Sequence, residues 1–215
     1  VFLKIVWQCN SIDKRSYFNY QMTEELTKLP SGLPQPEDDG ACDHLLGKIM
    51  PMVSLSSTKG NSVDTCALDT NFVVLYFFPM MGGFFGQSLP AGWDNIPGAR
   101  GCTPQNISIN DHNDDLLGYG AVPIGISTQP IEELSKLSEL RAFSQTLLSD
   151  EDLKFHKLLN IPTFQVENKV MYKRLTLILR KSKVIKVFYP VFPADKHIFE
   201  ILEWLKNYSG KIKWI

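Results

Sequence analysis

The chain has 215 residues, 44% hydrophobic and 21% charged, which suits one well-cored globular domain with an appendage and argues against a disordered or fibrous protein. Its 22 basic and 23 acidic side chains leave a formal net charge of −1, so nothing marks the surface for nucleic acid or an anionic membrane, and small molecules or proteins are the expected partners. No apolar run approaches the roughly 20 residues that span a bilayer.

Residues 1–30 mix aromatic and charged side chains without a clear period. The first nine are apolar with one lysine but lack an initiating methionine and a small-residue cleavage site. The natural start can therefore lie upstream, and targeting is not legible. Residues 29–40, with three prolines and the acidic run Glu37-Asp-Asp39, read as a linker. That divides the chain into an extension and linker, 1–40, and a folded domain, 41–215. Residues 52–55 and 62–64 predict a hairpin turning at Gly60. Residues 71–78 are β-branched and aromatic throughout, which predicts a central strand buried on both faces. The loop that follows, 80–101, is long enough to invite a functional explanation.

Thr103-Pro104 can open a helix, because proline in the first turn loses no hydrogen bond. Asn110 and Asp111 weaken its middle, and Gly118 stops it. A second apolar strand is expected at 121–127, then a helix at 130–143 with Ile131, Leu134, Leu137 and Leu140 at helical spacing. Residues 146–149 predict a short strand, and Asp150 a cap for the next helix, with Leu153, Leu158 and Leu159 inward. A hairpin at 175–179 and 183–188 and a terminal amphipathic helix at 194–208 complete an α/β sandwich.

The four cysteines, Cys9, Cys42, Cys66 and Cys102, form no Cys-x-x-Cys pair and no metal-ligand spacing, so a reducing compartment, most simply the cytoplasm, is expected. His44, His112, His156 and His197 are scattered, and Asp111, Asp114 and Asp115 read as a solvated helix face; no metal site is expected. Gly82-Gly83 and Gly86 lack the lysine of a phosphate loop. No cofactor is implied.

Cys102 stands in Gly98-Ala-Arg-Gly-Cys-Thr-Pro-Gln105, where the long loop meets the Thr-Pro helix start. Free backbone N–H groups and the positive end of the helix dipole favour a thiolate there. Arg100 and Arg174 can add positive charge and orient an anionic or polarised oxygen. The plain alternative is a structural cysteine in the core.

Most of the chain, from about residue 29 to 206, resembles the Q-type, or bacterioferritin-comigratory, peroxiredoxins. The resemblance rests on Phe72-Val-Val-Leu-Tyr-Phe-Phe-Pro79, Gly92-Trp-Asp-Asn-Ile-Pro-Gly-Ala-Arg-Gly-Cys-Thr-Pro-Gln105, Gly125-Ile-Ser-Thr-Gln129, Leu148-Ser-Asp150, Lys173-Arg-Leu-Thr-Leu177 and Val187-Phe-Tyr-Pro-Val-Phe-Pro193. It implies a thioredoxin-like α/β fold with a central mixed sheet flanked by helices, and a thiol peroxidase consuming hydrogen peroxide or organic hydroperoxides. By the same resemblance Cys102 is the attacking thiolate, Arg174 holds thiolate and peroxide, and Pro79 opens the loop that shields them. The implied partners are the peroxide and a thiol reductant, namely thioredoxin, glutaredoxin or glutathione. We expect a monomer or weak dimer that binds neither nucleic acid nor membrane.

The sequence departs from the family pattern in three places. More than twenty residues separate Pro79 from Cys102, and Ala99 stands where the family carries a hydroxyl, leaving Thr103 or a loop group such as Ser88 to supply one. Gln105 replaces a common glutamate. Ile107 occupies the position where Q-type enzymes often place a resolving cysteine, so a one-cysteine cycle is expected unless Cys9, Cys42 or Cys66 approaches Cys102. Phe84, Phe85 and Trp93 read as core or as an apolar cover for the site. The competing functional reading is a non-catalytic thioredoxin-fold redox sensor or binding protein.

Overall fold

The computed structural model describes residues 26–65, 67–68, 70–82 and 89–209. In chain order its elements are β1 (Ser54–Ser57), β2 (Ser62–Asp64), β3 (Phe72–Phe77), α1 (Cys102–Asp111), α2 (Asn113–Gly118), β4 (Ala121–Ser127), α3 (Ile131–Leu140), β5 (Thr146–Ser149), α4 (Lys154–Leu159), β6 (Thr163–Val166), β7 (Lys169–Tyr172), β8 (Leu175–Arg180), β9 (Lys183–Phe188) and α5 (His197–Ser209). Seven strands form one sheet in the order β2-β1-β5-β4-β3-β8-β9, and β6 and β7 pair separately. The sheet is mixed: β3, β4 and β5 run parallel, while β8 and β9 on one side and β1 and β2 on the other run antiparallel.

The uninterrupted apolar run of β3 has the meaning expected of it. Val73, Leu75 and Phe77 pack on one face with Cys42, Leu45, Phe155 and Tyr172. Phe72, Val74 and Tyr76 pack on the other beneath α1, α2, α3 and α5, against Ile109, Leu116, Leu134 and Ile201. A strand roofed on both faces has no place for a polar residue.

Three elements differ from expectation. The helix after Cys102 breaks at His112 (φ −109°, ψ 19°), so α1 and α2 are two pieces. Asn110, just before the break, uses its side-chain carbonyl to accept the Ser144 N–H at 2.8 Å and hydroxyl at 2.9 Å. Helix α3 stops at Leu140 rather than running to 143. Ala142 takes a left-handed conformation (φ 51°), and the Ala142 and Phe143 N–H groups return to the Glu139 and Ser138 carbonyls. That is a Schellman closure without the glycine that usually announces one. The β6–β7 hairpin carries no glycine or proline at its Glu167-Asn168 turn, and nothing in the sequence reading marked it.

Asp150 does cap α4, from four residues upstream: its carboxylate accepts the Lys154 N–H at 2.8 Å and the Phe155 N–H at 3.0 Å. It also accepts the Tyr172 hydroxyl at 2.6 Å, and burial beside this acid holds that phenol in its protonated, donating form.

His197 opens α5 in a buried position, 3.0 Å from Thr176 Oγ1 and 3.1 Å from Glu200 Oε2, with its ring against Phe188. Burial pushes its pKa below the ordinary 6.5, against the opposing pull of Glu200. The unfolded chain takes up the proton first, so the stabilisation is complete above about pH 6.5 and is lost as pH falls through the folded value. Melting temperatures measured between about pH 7.5 and pH 5.5 should therefore fall more steeply for this protein than for a His197→Gln variant. Equal slopes would contradict this.

Candidate active site

Cys102 is the first residue of α1, and Gly101 before it has φ 111°. A Cβ at Gly101 would lie 2.8 Å from Leu29 Cδ2 and 2.9 Å from Ala194 Cβ, so both backbone conformation and space require glycine there. The thiol is 3% exposed. Its Sγ accepts the Met80 N–H at 3.3 Å and Arg174 Nη2–H at 3.1 Å, and lies 3.7 Å from the Ala99 carbonyl, to which a thiol proton points. Donors and positive charge therefore converge on the sulfur at a helix start, an environment suited to an anion.

Each partner is held in turn. Arg174, immediately before β8, is 3% exposed; its Nη1 donates to Gln105 Oε1, and its Nη2 also donates to the Ala99 carbonyl at 3.0 Å and, more weakly, to the Arg100 carbonyl at 3.4 Å. The Pro79 carbonyl accepts the Ser127 hydroxyl at 2.9 Å, and Met81 exchanges two backbone bonds with the Gln129 amide, at 2.8 and 3.0 Å. The loop leaving β3 is thereby fastened to the end of β4, with the Met80 N–H facing the thiol. Behind Cys102, Tyr76 donates to Asn106 Oδ1 at 2.8 Å, and Asn106 Nδ2 donates to the Cys102 carbonyl at 2.9 Å.

Cys102, Arg174 and the Pro79-Met80 corner thus come together. Arg100 contributes only its backbone: its guanidinium pairs with Asp94 at 3.2 Å. Thr103 is buried, but its hydroxyl is not among the partners of Sγ, and Ala99 offers a carbonyl where a hydroxyl was sought. Ser88, Phe84, Phe85, Cys9 and Cys66 lie outside the described residues. Trp93 is buried with Ala99, Val166 and Met171, so the hairpin β6–β7 supports the active-site loop from below. Three contributors carry no assigned role in the sequence, the Met80 N–H, the Gln129 clamp and the Gln105 acceptor, although each lies in a segment that the sequence singles out.

Cys42 belongs to the opposite face of the sheet, among Leu45, Met50 and Tyr172. Burial, with Asp39 and Asp38 nearby, pushes its thiol up to about 12. His44, His112 and His156 each bond a backbone carbonyl, of Leu159, Ser108 and Ile161 respectively, and none contacts the thiol. No cluster of three potential metal ligands occurs among the described residues. None of their helices is long and apolar enough to cross a membrane.

The stretch read as a linker is laid against this site as a strap. Leu26 is buried beside Gly82, Leu29 presses on Gly101, and Pro36 lies 3.4 Å from where a Gly98 Cβ would stand. Asp39 ends the strap in a polar knot, accepting Lys173 Nζ at 2.6 Å and the Tyr189 hydroxyl at 2.8 Å, which lowers its pKa to about 2. Between strap and domain remains a mostly apolar cavity of about 220 Å³, lined by Pro36, Ile96, Phe164, Arg174, Tyr189 and Pro190 among others.

The site is thus a buried thiol at a helix start beside a mixed α/β sheet, with the guanidinium of Arg174 brought onto the sulfur from just before β8. No family model matches the chain. It is 26% identical over 166 residues to peroxiredoxin Bcp of Escherichia coli, covering 76% of this chain and 96% of that protein. It is 27% identical over 188 residues to the chloroplastic peroxiredoxin Q of Gentiana triflora, covering 85% and 78%. In fold it matches the bacterioferritin comigratory protein of Xanthomonas campestris, a structure described for its alkyl peroxide reduction activity, with TM-score 0.59 and 20% identity over 78% of this chain and 99% of that one. These likenesses are to peroxiredoxins of the Q-type or bacterioferritin-comigratory branch, and they extend over most of the chain.

Proposed function

We propose that the protein is a thiol-dependent peroxidase in which the Cys102 thiolate attacks the terminal oxygen of a hydroperoxide. The S–O bond forms as the O–O bond breaks; water or an alcohol leaves after taking up one proton, and Cys102 is left as a sulfenic acid. Arg174 and the Met80 N–H orient the thiolate, and the guanidinium offers charge to the oxygen that departs. The observation that carries this reading is their joint approach to a buried Sγ at the first residue of α1.

The second half of the cycle is proposed to use an external thiol. Ile107 replaces the nearby resolving cysteine, and Cys42 lies on the other face of the sheet as a thiol reluctant to ionise. Two reducing equivalents from thioredoxin, glutaredoxin or glutathione return the sulfenic acid to thiol and release water, through a mixed disulfide. A cytoplasmic setting fits this cycle, since such thiols abound there.

Stopped-flow mixing with one equivalent of peroxide should oxidise Cys102 far faster than free cysteine, and the product mass should rise by one oxygen. A two-hydrogen loss instead would mean that Cys9, Cys42 or Cys66 resolves it. A rate no better than free thiol would favour the redox-sensor reading, to which the missing hydroxyl at Ala99 lends its support.

A further inference from the structure

We propose that the cavity between strap and domain receives the organic group of a compact, neutral hydroperoxide, and that Pro36 and Ile96, which line it, set how well such substrates compete with hydrogen peroxide. The proposal rests on the peroxidase reading above, and one arm of its test needs no turnover.

The cavity adjoins the chemistry through Arg174. This residue lines the cavity and also places Nη2 3.1 Å from the Cys102 sulfur. Gly98 lines it too, one residue before the Ala99 carbonyl that lies 3.7 Å from that sulfur. In a hydroperoxide R–O–O–H the terminal oxygen joins the sulfur, while the inner oxygen departs in the alcohol and carries R. With the inner oxygen turned to Arg174 to gain its charge, R is directed to the guanidinium's side of the thiol, where the cavity lies. Hydrogen peroxide has no R and leaves the space unused.

Size and lining select the occupant. A cavity of about 150 Å³ holds benzene. One of about 220 Å³ therefore accommodates a phenyl ring with a small branch, or a branched alkyl group, but not a fatty-acid chain. Pro36, Ile96, Phe164 and Pro190 offer apolar surface that gains by excluding water. The charged groups disfavour an anion: the Lys173 ammonium is paired with Asp39, and Glu37, exposed on the strap, adds negative charge to the lining. A fatty-acid carboxylate would meet that charge without a partner.

The strap's wall is fixed before a substrate arrives. Pro36 packs over Gly98, and Asp39 ties the end of the strap to Lys173 and Tyr189, which line the cavity themselves. A preformed pocket spares the substrate the cost of ordering one.

Stopped-flow rate constants for oxidation of Cys102 in the full chain, with cumene hydroperoxide, hydrogen peroxide and a long-chain fatty-acid hydroperoxide, test the proposal. The unaltered protein should react about tenfold faster with cumene hydroperoxide than with the fatty-acid compound. Ile96→Trp fills the cavity and should lower the ratio of the cumene hydroperoxide rate to the hydrogen peroxide rate about tenfold, and Pro36→Ala, which removes part of the wall, about threefold. An unchanged ratio in both variants, or in Pro36→Ala should Ile96→Trp fail to fold, overturns the proposal, as do equal rates with the two organic hydroperoxides. Cumyl alcohol, the product, probes the cavity without turnover: shifts of NMR methyl resonances should show saturable binding, about tenfold weaker in Ile96→Trp and weaker also in Pro36→Ala. Binding that is absent, or equal in all folded variants, overturns the proposal as well. Slow reaction with every peroxide beside intact, Pro36-dependent binding of the alcohol would instead sink the peroxidase reading and leave the cavity's assignment standing.

Discussion

A Cys102→Ser protein is expected to consume hydrogen peroxide no faster than buffer, a loss of about a thousandfold or more, while keeping its fold. A serine hydroxyl ionises far too weakly to attack the O–O bond, whatever charge surrounds it. It fits the site nonetheless, because an oxygen at Sγ can accept from the Met80 N–H and Arg174 and donate to the Ala99 carbonyl. Cys42→Ser should give the converse pattern. That thiol packs in an apolar cluster on the far face, so the substitution buries a hydroxyl at a cost of about 1–3 kcal/mol and leaves the peroxide rate within about twofold. Peroxide consumption by the Cys102→Ser protein comparable to that of the unaltered one would transfer the chemistry to a different thiol.

Gly125→Ala is expected to be the most damaging small change in the sheet. A Cβ on this β4 residue would stand 2.7 Å from Leu147 Cδ2 and from both Cζ and the hydroxyl of Tyr76, closer than real atoms approach. Overpacking of this kind costs about 1–3 kcal/mol. The displaced Tyr76 also supports Asn106, and Asn106 supports the Cys102 carbonyl, so the peroxide rate should fall together with stability. Urea unfolding and stopped-flow rates measure the two effects. Tyr76→Phe in the Gly125→Ala background removes one of the clashing atoms and should recover part of the stability; an unchanged urea midpoint for Gly125→Ala alone would refute the clash.

The sheet was legible because its strands are buried on both faces or alternate plainly: the run at β3 and the hairpin β8–β9 announce themselves by side-chain pattern. Cys102 was legible because glycine, threonine and proline punctuate the backbone around it. Less legible were features whose cause is tertiary. The Ala142 helix closure and the Glu167-Asn168 turn place Ala142 and Glu167, side chains with no preference for it, in positive-φ backbone. The resemblance favours Arg174 over Arg100, but nothing in the sequence says where either guanidinium is directed. Only the fold shows that one reaches the sulfur while the other is paired with Asp94. The strap defied composition altogether: a proline-rich acidic run reads as a spacer, yet Leu29 and Pro36 within it, and Leu26 just before it, give it an apolar underside.

Because Leu29 occupies the space that a side chain at Gly101 would need, the two positions form one unit of variation although they are distant along the chain. A lineage that enlarged residue 101 would first have to shrink residue 29, and would still face the left-handed backbone there. Exchange of the strap for one of different side chains, with the rest of the chain kept, would therefore be felt first at the residue before the thiol, as an altered start to α1.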